Sequence, residues 1–597
     1  MTRPMAHPFN VPQEMHPPAS RPLAWGLMVA CLAPLPLLGA TYCNPIDINY
    51  QYNFEQEWRQ ISYRAGADPV IVNHKGEYYL FVTISGGWWH SKDLLHWDFV
   101  RPNTWPKEDM CAPAALSVGE TLYLFQSTFQ QRPIYSTRTP ENGQLTLFNP
   151  QLPMVPGGAG PWDPAIFHDE ETDRWFMYYG SSNVYPIYGI ELDFKNQLNY
   201  IGTSVELLKL MPEVHGWERF GQDHRSPITP FMEGAWMTKH EGKYYLQYGG
   251  PGTEYNVYAN GTYVGDSPLG PFKYAPNNPI AYKPGGFMTG AGHGNTFQDN
   301  HGNYWNTGTP WLAVNYDFER RIAMFPAGFD KEGLLYANTR FGDFPHHLPT
   351  GKWTDRNELF TGWMLLSYRK PCEASSNQGD FPPSTLTDEN PRTFWLARSN
   401  HPGEWVSVDL GHECEVRAVQ VNFTDWKSGI YHSDERVYTQ FKLLHSVDGR
   451  EWKPLVDLTR EKRDRPNAYL ELEQPVRTRF IKYEHAYVAS PHLAISDIRV
   501  FGHGGGTPPP SPTGVTVRRD SDPRNAFIQW DPVPGAVGYN VLWGIGPGKL
   551  YETYQVFADQ GTSLELRALT VGQSYWLAVE AFDENGVSPA TSPLRIR

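Results

Sequence analysis

Five short segments repeat one pattern through the first half of the chain: KGEYYLFVT (75–83), VGETLYLFQS (118–127), TDRWFMYYGS (172–181), EGKYYLQYGG (241–250) and HGNYWNTGTP (301–310). Each is a Gly or Asp turn leading into a run of alternating aromatics, the period-two pattern of a strand packed on a pleated surface. The copies lie roughly 40 to 70 residues apart with almost no helical periodicity between them. That spacing is too wide for successive strands of a sandwich and suits radial blades. The sequence therefore predicts an all-β chain in which residues 44–350 form a five-bladed β-propeller.

One strand length before each turn lies a residue of chemical interest. Asp68 precedes Gly76 by 8 residues, Cys111 precedes Gly119 by 8, Asp163 precedes Asp173 by 10, Glu233 precedes Gly242 by 9 and His293 precedes Gly302 by 9. The first strand of a propeller blade lines the central axis, so these positions converge at one mouth. An Asp before Pro, as in Asp68-Pro69, is also an ordinary turn starter, and carboxylates also bind metals. Acidic residues at three of five blades favour a shared pocket over either. Like charges in close company push at least one pKa upward, and a protonated carboxyl beside an ionised one is the pair that glycosidic cleavage needs.

Charge and composition narrow the partners. Lys plus Arg number 50 against 64 Asp plus Glu, a formal charge of −14, which argues against nucleic acid. Aromatics make up 14% of the chain, including 21 Trp and 34 Tyr; they suit stacking on sugar faces, and equally suit strand formation. Trp88 and Trp89, just past the second strand of the first blade, are candidates for stacking on sugar or for packing between blades. Residues 1–40 read as a signal peptide: Arg21 precedes the apolar run 22–40, which ends in small residues. No second apolar run of ~20 residues follows, so the expectation is a secreted or periplasmic protein with no permanent membrane span. The five cysteines show no CxxC spacing, which speaks against zinc. Export permits one disulfide, for which Cys372 and Cys414 are candidates.

At these residues the chain resembles glycoside hydrolase family 43. The quoted segments are GADPV (66–70), PWDPAIF (161–167), FMEGAW (231–236) and TGAGHGNTF (289–297), with SKDLLHW (91–97) and SPLGPF (267–272) in support. The resemblance implies that Asp68 is the general base activating water, that Asp163 tunes the acid and orients substrate, and that Glu233 is the general acid. It places His293 near the propeller axis, in contact with substrate or with a metal and its waters. No cofactor is required for the chemistry. MCAP (110–113) and Ala235 depart from the family pattern and bear on which sugar is taken.

Two modules follow. Residues 360–503 resemble a discoidin or factor V/VIII type C β-sandwich, in which the loop TDENPRT holds a structural calcium; that likeness implies Asp388, Thr393 and Asp497 as ligands. A solvated Asp turn is the plainer reading of the same loop. This module is expected to bind polysaccharide or to pack as an appendage. After the breaker GGGTPPPSP (504–512), residues 508–597 resemble fibronectin type III, with Trp530 and Tyr575 as packing residues. The functional expectation is a secreted, inverting glycosidase acting on arabinofuranosyl, xylosyl or galactosyl linkages of plant or algal polysaccharides. The competing expectation is a carbohydrate-binding propeller without turnover.

Overall fold

The computed structural model describes residues 38–52, 62–64, 66–104, 111–125, 127, 133–157, 160, 162–312, 314, 318–355 and 357–597. The apolar leader up to residue 37 lies outside them, and none of the described helices is long and apolar enough to cross a membrane.

Five antiparallel sheets follow one another, each built on four strands in chain order, the fourth with a short fifth strand, Ala281–Tyr282, added. Their innermost strands are Val70–His74, Ala114–Val118, Ala165–Asp169, Glu233–His240 and Thr296–Gln298. The five repeated turns join these strands to the second strands, Glu77–Phe81, Thr121–Phe125, Arg174–Tyr179, Lys243–Gly250 and Tyr304–Gly308. Both faces of a second strand are covered by neighbouring blades, so Tyr79, Leu80 and Phe81 are all buried, as are Phe176, Met177 and Tyr178. That is why the repeats are aromatic on successive residues and not only on alternate ones.

The ring closes in two places. Asn295 of the last blade accepts from Ile71 N at 3.0 Å and donates to Ile71 O at 2.9 Å, tying the fifth inner strand to the first. Leu38–Tyr42 pairs antiparallel with His346–Pro349. His346 and His347 therefore lie in a strand, with His346 buried.

Residues 364–503 form an eight-stranded sheet system built on two long strands, Trp405–Phe423 and Asn467–Val488. Its core is aliphatic, with Val406, Val408, Val419, Val421, Phe441, Ile481 and Val500 all buried. Cys372 pairs with Val408 and Cys414 with Thr478, and both thiols are free, so the disulfide that export would permit is not formed. The last module is a two-sheet sandwich in which Trp530 and Tyr575 are buried, the Tyr575 hydroxyl accepting from Thr570 N at 3.2 Å.

The modules are not loosely strung. Arg499 of the first sandwich is buried, paired with Glu389 at 2.8 Å, donating to Asp343 O of the propeller at 2.6 Å and lying 4.4 Å over the Phe287 ring. The last module also docks on the propeller, through Gly216 N to Leu569 O at 2.9 Å and Arg219 to Asn525 at 2.6 Å.

Candidate active site

The entry to each inner strand carries a backbone kink in the left-handed region: Asp68 at φ 54°, Ala112 at 38°, Asp163 at 46°, Gly234 at 64° and His293 at 44°. A residue other than glycine held there costs about 1–3 kcal/mol, so the surroundings must impose it. They do so through backbone bonds, Asp68 N to Thr309 Oγ1 at 3.0 Å and Asp163 N to Ser127 Oγ at 2.8 Å. In the fourth blade the kink falls on Gly234, where a Cβ would stand 2.8 Å from the His293 ring; only glycine lets the imidazole in. The second blade corrects the count from the turns. Its kinked residue before Pro is Ala112, one place beyond Cys111, so this blade supplies no titratable group at that position and Cys111 instead lines the pocket wall.

The kinks bring Asp68, Asp163, Glu233 and His293 together. His293 Nδ1 lies 3.2 Å from Asp68 Oδ1, 3.9 Å from Asp163 Oδ2 and 4.0 Å from Glu233 Oε2. Asp68 Oδ2 accepts from Thr83 Oγ1 at 2.5 Å, and Arg320 Nη1 stands 3.5 Å from its other oxygen. Ser127 Oγ donates to Asp163 Oδ1 at 3.0 Å. Glu233 accepts from the Tyr258 hydroxyl at 2.5 Å and from Ser181 Oγ at 3.3 Å. Each carboxylate thus has its own donors, which fix its rotamer.

The environments push these groups apart. Burial alone would raise the Asp68 carboxyl, but His293, Arg320 and the Thr83 hydroxyl outweigh it and hold Asp68 below the usual carboxylate range. Burial dominates at Asp163: despite His293, and with Glu233 and Asp68 adding their charge, it is pushed up to about 7. Burial favours neutral His293, yet the three carboxylates raise it above its ordinary value. Asp163, Glu233 and His293 each offer one donor atom within 4.8 Å of the others, a spacing a cation could use. An imidazolium has no lone pair to give at Nδ1, so the raised His293 fits the role of the site's own counter-cation.

Asp68, Asp163 and Glu233 line a pocket of about 400 Å³. Trp162, Phe220, Phe231 and Phe318 line its walls, so the aromatic surface for a sugar comes from these residues. Trp88 and Trp89 correct the expectation of stacking: both are fully buried, with indole N–H groups bonded to Pro140 O and Asn49 Oδ1 at 3.1 and 2.7 Å. Stacking needs an open ring face, and theirs are taken by neighbouring blades. The sequence also gave no sign of Thr83, Tyr258 and Arg320. Thr83 closes the first repeat, where nothing marks it as different, and Tyr258 and Arg320 lie outside the repeats.

A second cluster lies in the first sandwich. Asp388 Oδ2 accepts from Thr393 Oγ1 at 2.8 Å and its Oδ1 from Asn390 N at 3.0 Å. Asp497 is fully buried and neither of its oxygens accepts a well-formed hydrogen bond, the adjacent Ser496 hydroxyl being directed to Asn422 O. Burial, with Glu389 and Asp388 beside it, raises the Asp497 carboxyl well above its ordinary value. A buried carboxylate without donors is costly alone and is the donor type a hard cation takes.

The propeller thus gathers three carboxylates at one pocket. Residues 61–333 match the family model described as glycosyl hydrolases family 43, and residues 371–490 match the F5/8 type C domain; the chain carries one of each. Among curated proteins, Neuropilin-1 of Rattus norvegicus is 35% identical over 121 residues, which is 18% of this chain and 12% of that protein. Neuropilin-1 of Mus musculus is 34% identical over the same length. The chain thus spans 12% of the length of the curated relatives it matches. Similar solved structures include a glycoside hydrolase at 17% identity, covering 73% of this chain and 97% of that one with a TM-score of 0.42. A thermostable family-43 glycoside hydrolase is 22% identical, covering 50% and 95% with a TM-score of 0.40. An exo-1,5-alpha-L-arabinanase from a bovine ruminal metagenomic library is 18% identical, covering 46% and 97% with a TM-score of 0.36.

Proposed function

We propose that the protein is an exported, inverting glycosidase that removes arabinofuranosyl, xylosyl or galactosyl residues from plant or algal polysaccharide. The observation that carries this reading is the gathering of Asp68, Asp163 and Glu233 within 4.0 Å of one imidazole nitrogen, where all three line a pocket of sugar size. In the proposed step a water attacks the anomeric carbon and passes its proton to ionised Asp68. Glu233 gives a proton to the departing glycosidic oxygen, so both charges are balanced as the bond breaks. Asp163, kept near neutrality by burial, spares Glu233 a second full negative charge and holds the substrate hydroxyls.

The pocket walls support a sugar stacked on Trp162 or Phe220 with its hydroxyls towards the carboxylates. The first sandwich would hold a structural calcium through Asp388, Thr393 and Asp497, for which the donorless Asp497 is the support. The last module reads as a fibronectin type III-like spacer. A panel of nitrophenyl glycosides, assayed with the wild type and with Asp68→Asn and Glu233→Gln, tests the reading. Turnover of one furanoside or pyranoside, lost in Asp68→Asn, supports it; binding of sugars with no turnover of any would leave a lectin.

A further inference from the structure

The loop that delivers Arg320 to Asp68 is fastened from outside the propeller. Arg321, fully buried, donates Nη1–H to the Arg320 carbonyl at 3.0 Å and Nε–H to Asn467 Oδ1 at 3.2 Å, and its Nη2 lies 3.7 Å from Asp425 Oδ2. Asn467 and Asp425 belong to the first sandwich. The same Asp425 takes Arg64 Nε at 3.1 Å and the Tyr52 hydroxyl at 2.7 Å, and Arg64 is also paired with Asp464 of the sandwich. Arg64 stands 4 residues before Asp68. Between them, a Cβ on Gly66 would come within 2.6 Å of the Arg320 carbonyl oxygen, so the segment leading to Asp68 and the segment bearing Arg320 run in direct contact. Earlier in the same segment Trp311 has Arg392 of the sandwich 4.5 Å over its ring, and Val314 packs against the cluster of Phe394, Leu396 and Ala494.

We propose that Asp425, a sandwich residue outside the lining of the pocket, is a positioning residue for catalysis: through Arg64 and Arg321 it sets the relative placement of Asp68 and Arg320. The inference rests on the reading of Asp68 as the base. Its physical ground is that Arg64, Arg321, Asp425 and Asp464 are all buried. Buried ion pairs are weak net stabilisers, but Asp425 is the carboxylate the two arginines share: without its charge Arg321 is left to Glu319 of its own loop, at 3.4 Å, and Arg64 to Asp464, so the two are no longer tied to one point. A displacement of ~1 Å at a reacting group costs on the order of 10²-fold in rate. The first sandwich is therefore part of the catalytic unit and not an appendage to it.

The test is a double-mutant cycle on the full chain, with kcat and KM measured on a soluble aryl glycoside and Tm recorded for each variant. Asp425→Asn should lower kcat/KM by roughly 10- to 100-fold, mainly in kcat. In an Arg320→Met background the same change should cost less than about 3-fold, because the group it positions is gone. Additive losses would overturn the proposal, as would a folded Asp425→Asn with wild-type kcat/KM. Asp409→Asn, which breaks the exposed Asp409–Arg479 pair elsewhere on the sandwich, should leave kcat unchanged; an equal loss there would mean general destabilisation and would also overturn it. If Asp425→Asn does not fold, Asn467→Ser removes the bond to Arg321 together with one to Asn422 inside the sandwich and should show the same non-additivity at smaller size, additivity again counting against us. Asp68→Asn in the same series keeps the two ideas apart: turnover that survives it sinks the base assignment, whereas the coupling of Asp425 to Arg320 is read independently.

Discussion

His293 Nδ1 stands 3.2 Å from Asp68 Oδ1, nearer than to either other carboxylate, and this contact sorts their roles. The imidazole sides with Asp68, which Arg320 also faces, so Asp68 is the group held ionised. Asp163 keeps the burial without an equal share of the cation and is the one driven upward. Asp68 is thus fitted to accept a proton, while the raised Asp163 puts less negative charge beside Glu233, the proposed acid.

The elevated Asp163 makes a stability prediction. A carboxyl whose native pKa exceeds its unfolded value of ~3.9 contributes stability that is fully present below that value and is lost as pH rises through the native pKa. For Asp163 the window runs up to about 7. Asp163→Asn carries no such titration, so its Tm relative to wild type should climb as pH is raised from ~4 through ~7 and level off above. Parallel Tm curves across that range would show that Asp163 is not held protonated by the fold.

Stereochemistry is the next measurable consequence. Because Asp68 and Glu233 both approach His293 Nδ1, at 3.2 and 4.0 Å, their nearest oxygens lie at most about 7 Å apart, against ~6.5–9.5 Å for single displacement and ~5–5.5 Å for a covalent intermediate. The proposed step needs the upper part of that span, with a water between base and sugar. Proton NMR of the first-formed product should show the anomeric configuration opposite to that of the substrate. Retention would assign the nucleophile's role to Asp68 and discard the inverting step.

How the site came to be legible in the sequence follows from its backbone. Asp68 and Asp163 sit on kinks locked before Pro69 and Pro164, and Glu233 on one that needs Gly234; these are local constraints that leave local signatures at repeating distances from a turn. The second blade shows the limit of counting, since a single residue separates Cys111 from the kinked Ala112. Trp88 and Trp89 show another: the same aromatic alternation serves strands buried on both faces, so composition alone does not tell a stacking ring from a packing one. Arg320 and the Asp425–Arg64 pair were invisible because their meaning depends on partners hundreds of positions away, and Tyr258 because it reaches Glu233 from a different strand with no motif of its own.

The walls give a binding prediction. Trp162 lines the pocket beside Asp163, and loss of a stacking ring removes about 0.5–1.5 kcal/mol beyond lost area, or roughly 2- to 10-fold in affinity. Trp162→Ala should therefore raise KM several-fold with little change in kcat, while Trp88→Ala should lower Tm without a selective effect on KM. The reverse pattern would return the sugar platform to the first blade.

Calcium offers a test that does not depend on turnover. Neither Asp497 oxygen accepts a well-formed hydrogen bond, and Asp388 lies beside it with Thr393 on its outer oxygen. A divalent ion bound there would stabilise the native state in proportion to the logarithm of its concentration. Adding calcium to chelator-treated protein should raise Tm, and Asp497→Asn should abolish the increment while itself being tolerated, because it supplies an amide where the metal-free protein holds a protonated acid. An unchanged Tm on calcium addition to the wild type would leave Asp497 as a buried neutral carboxyl and the loop 387–393 as an ordinary Asp turn.

The last prediction separates acid from base. Glu233→Gln keeps the acceptor for Tyr258 at one oxygen position but carries no proton for the leaving group, so turnover of an alkyl glycoside or of polysaccharide should fall by ~10²–10⁴. On a dinitrophenyl glycoside, whose leaving group needs little protonation, the loss should be far smaller. Asp68→Asn leaves water unactivated whatever departs, so its loss should be severe on both substrates. The ratio of the two rates is thus the diagnostic: it should rise by orders of magnitude in Glu233→Gln and stay near the wild-type value in Asp68→Asn. If the ratio instead rises in Asp68→Asn, the acid stands on the first blade and the two roles are exchanged; if both variants match the wild type on every substrate, the chemistry lies on other residues of the pocket.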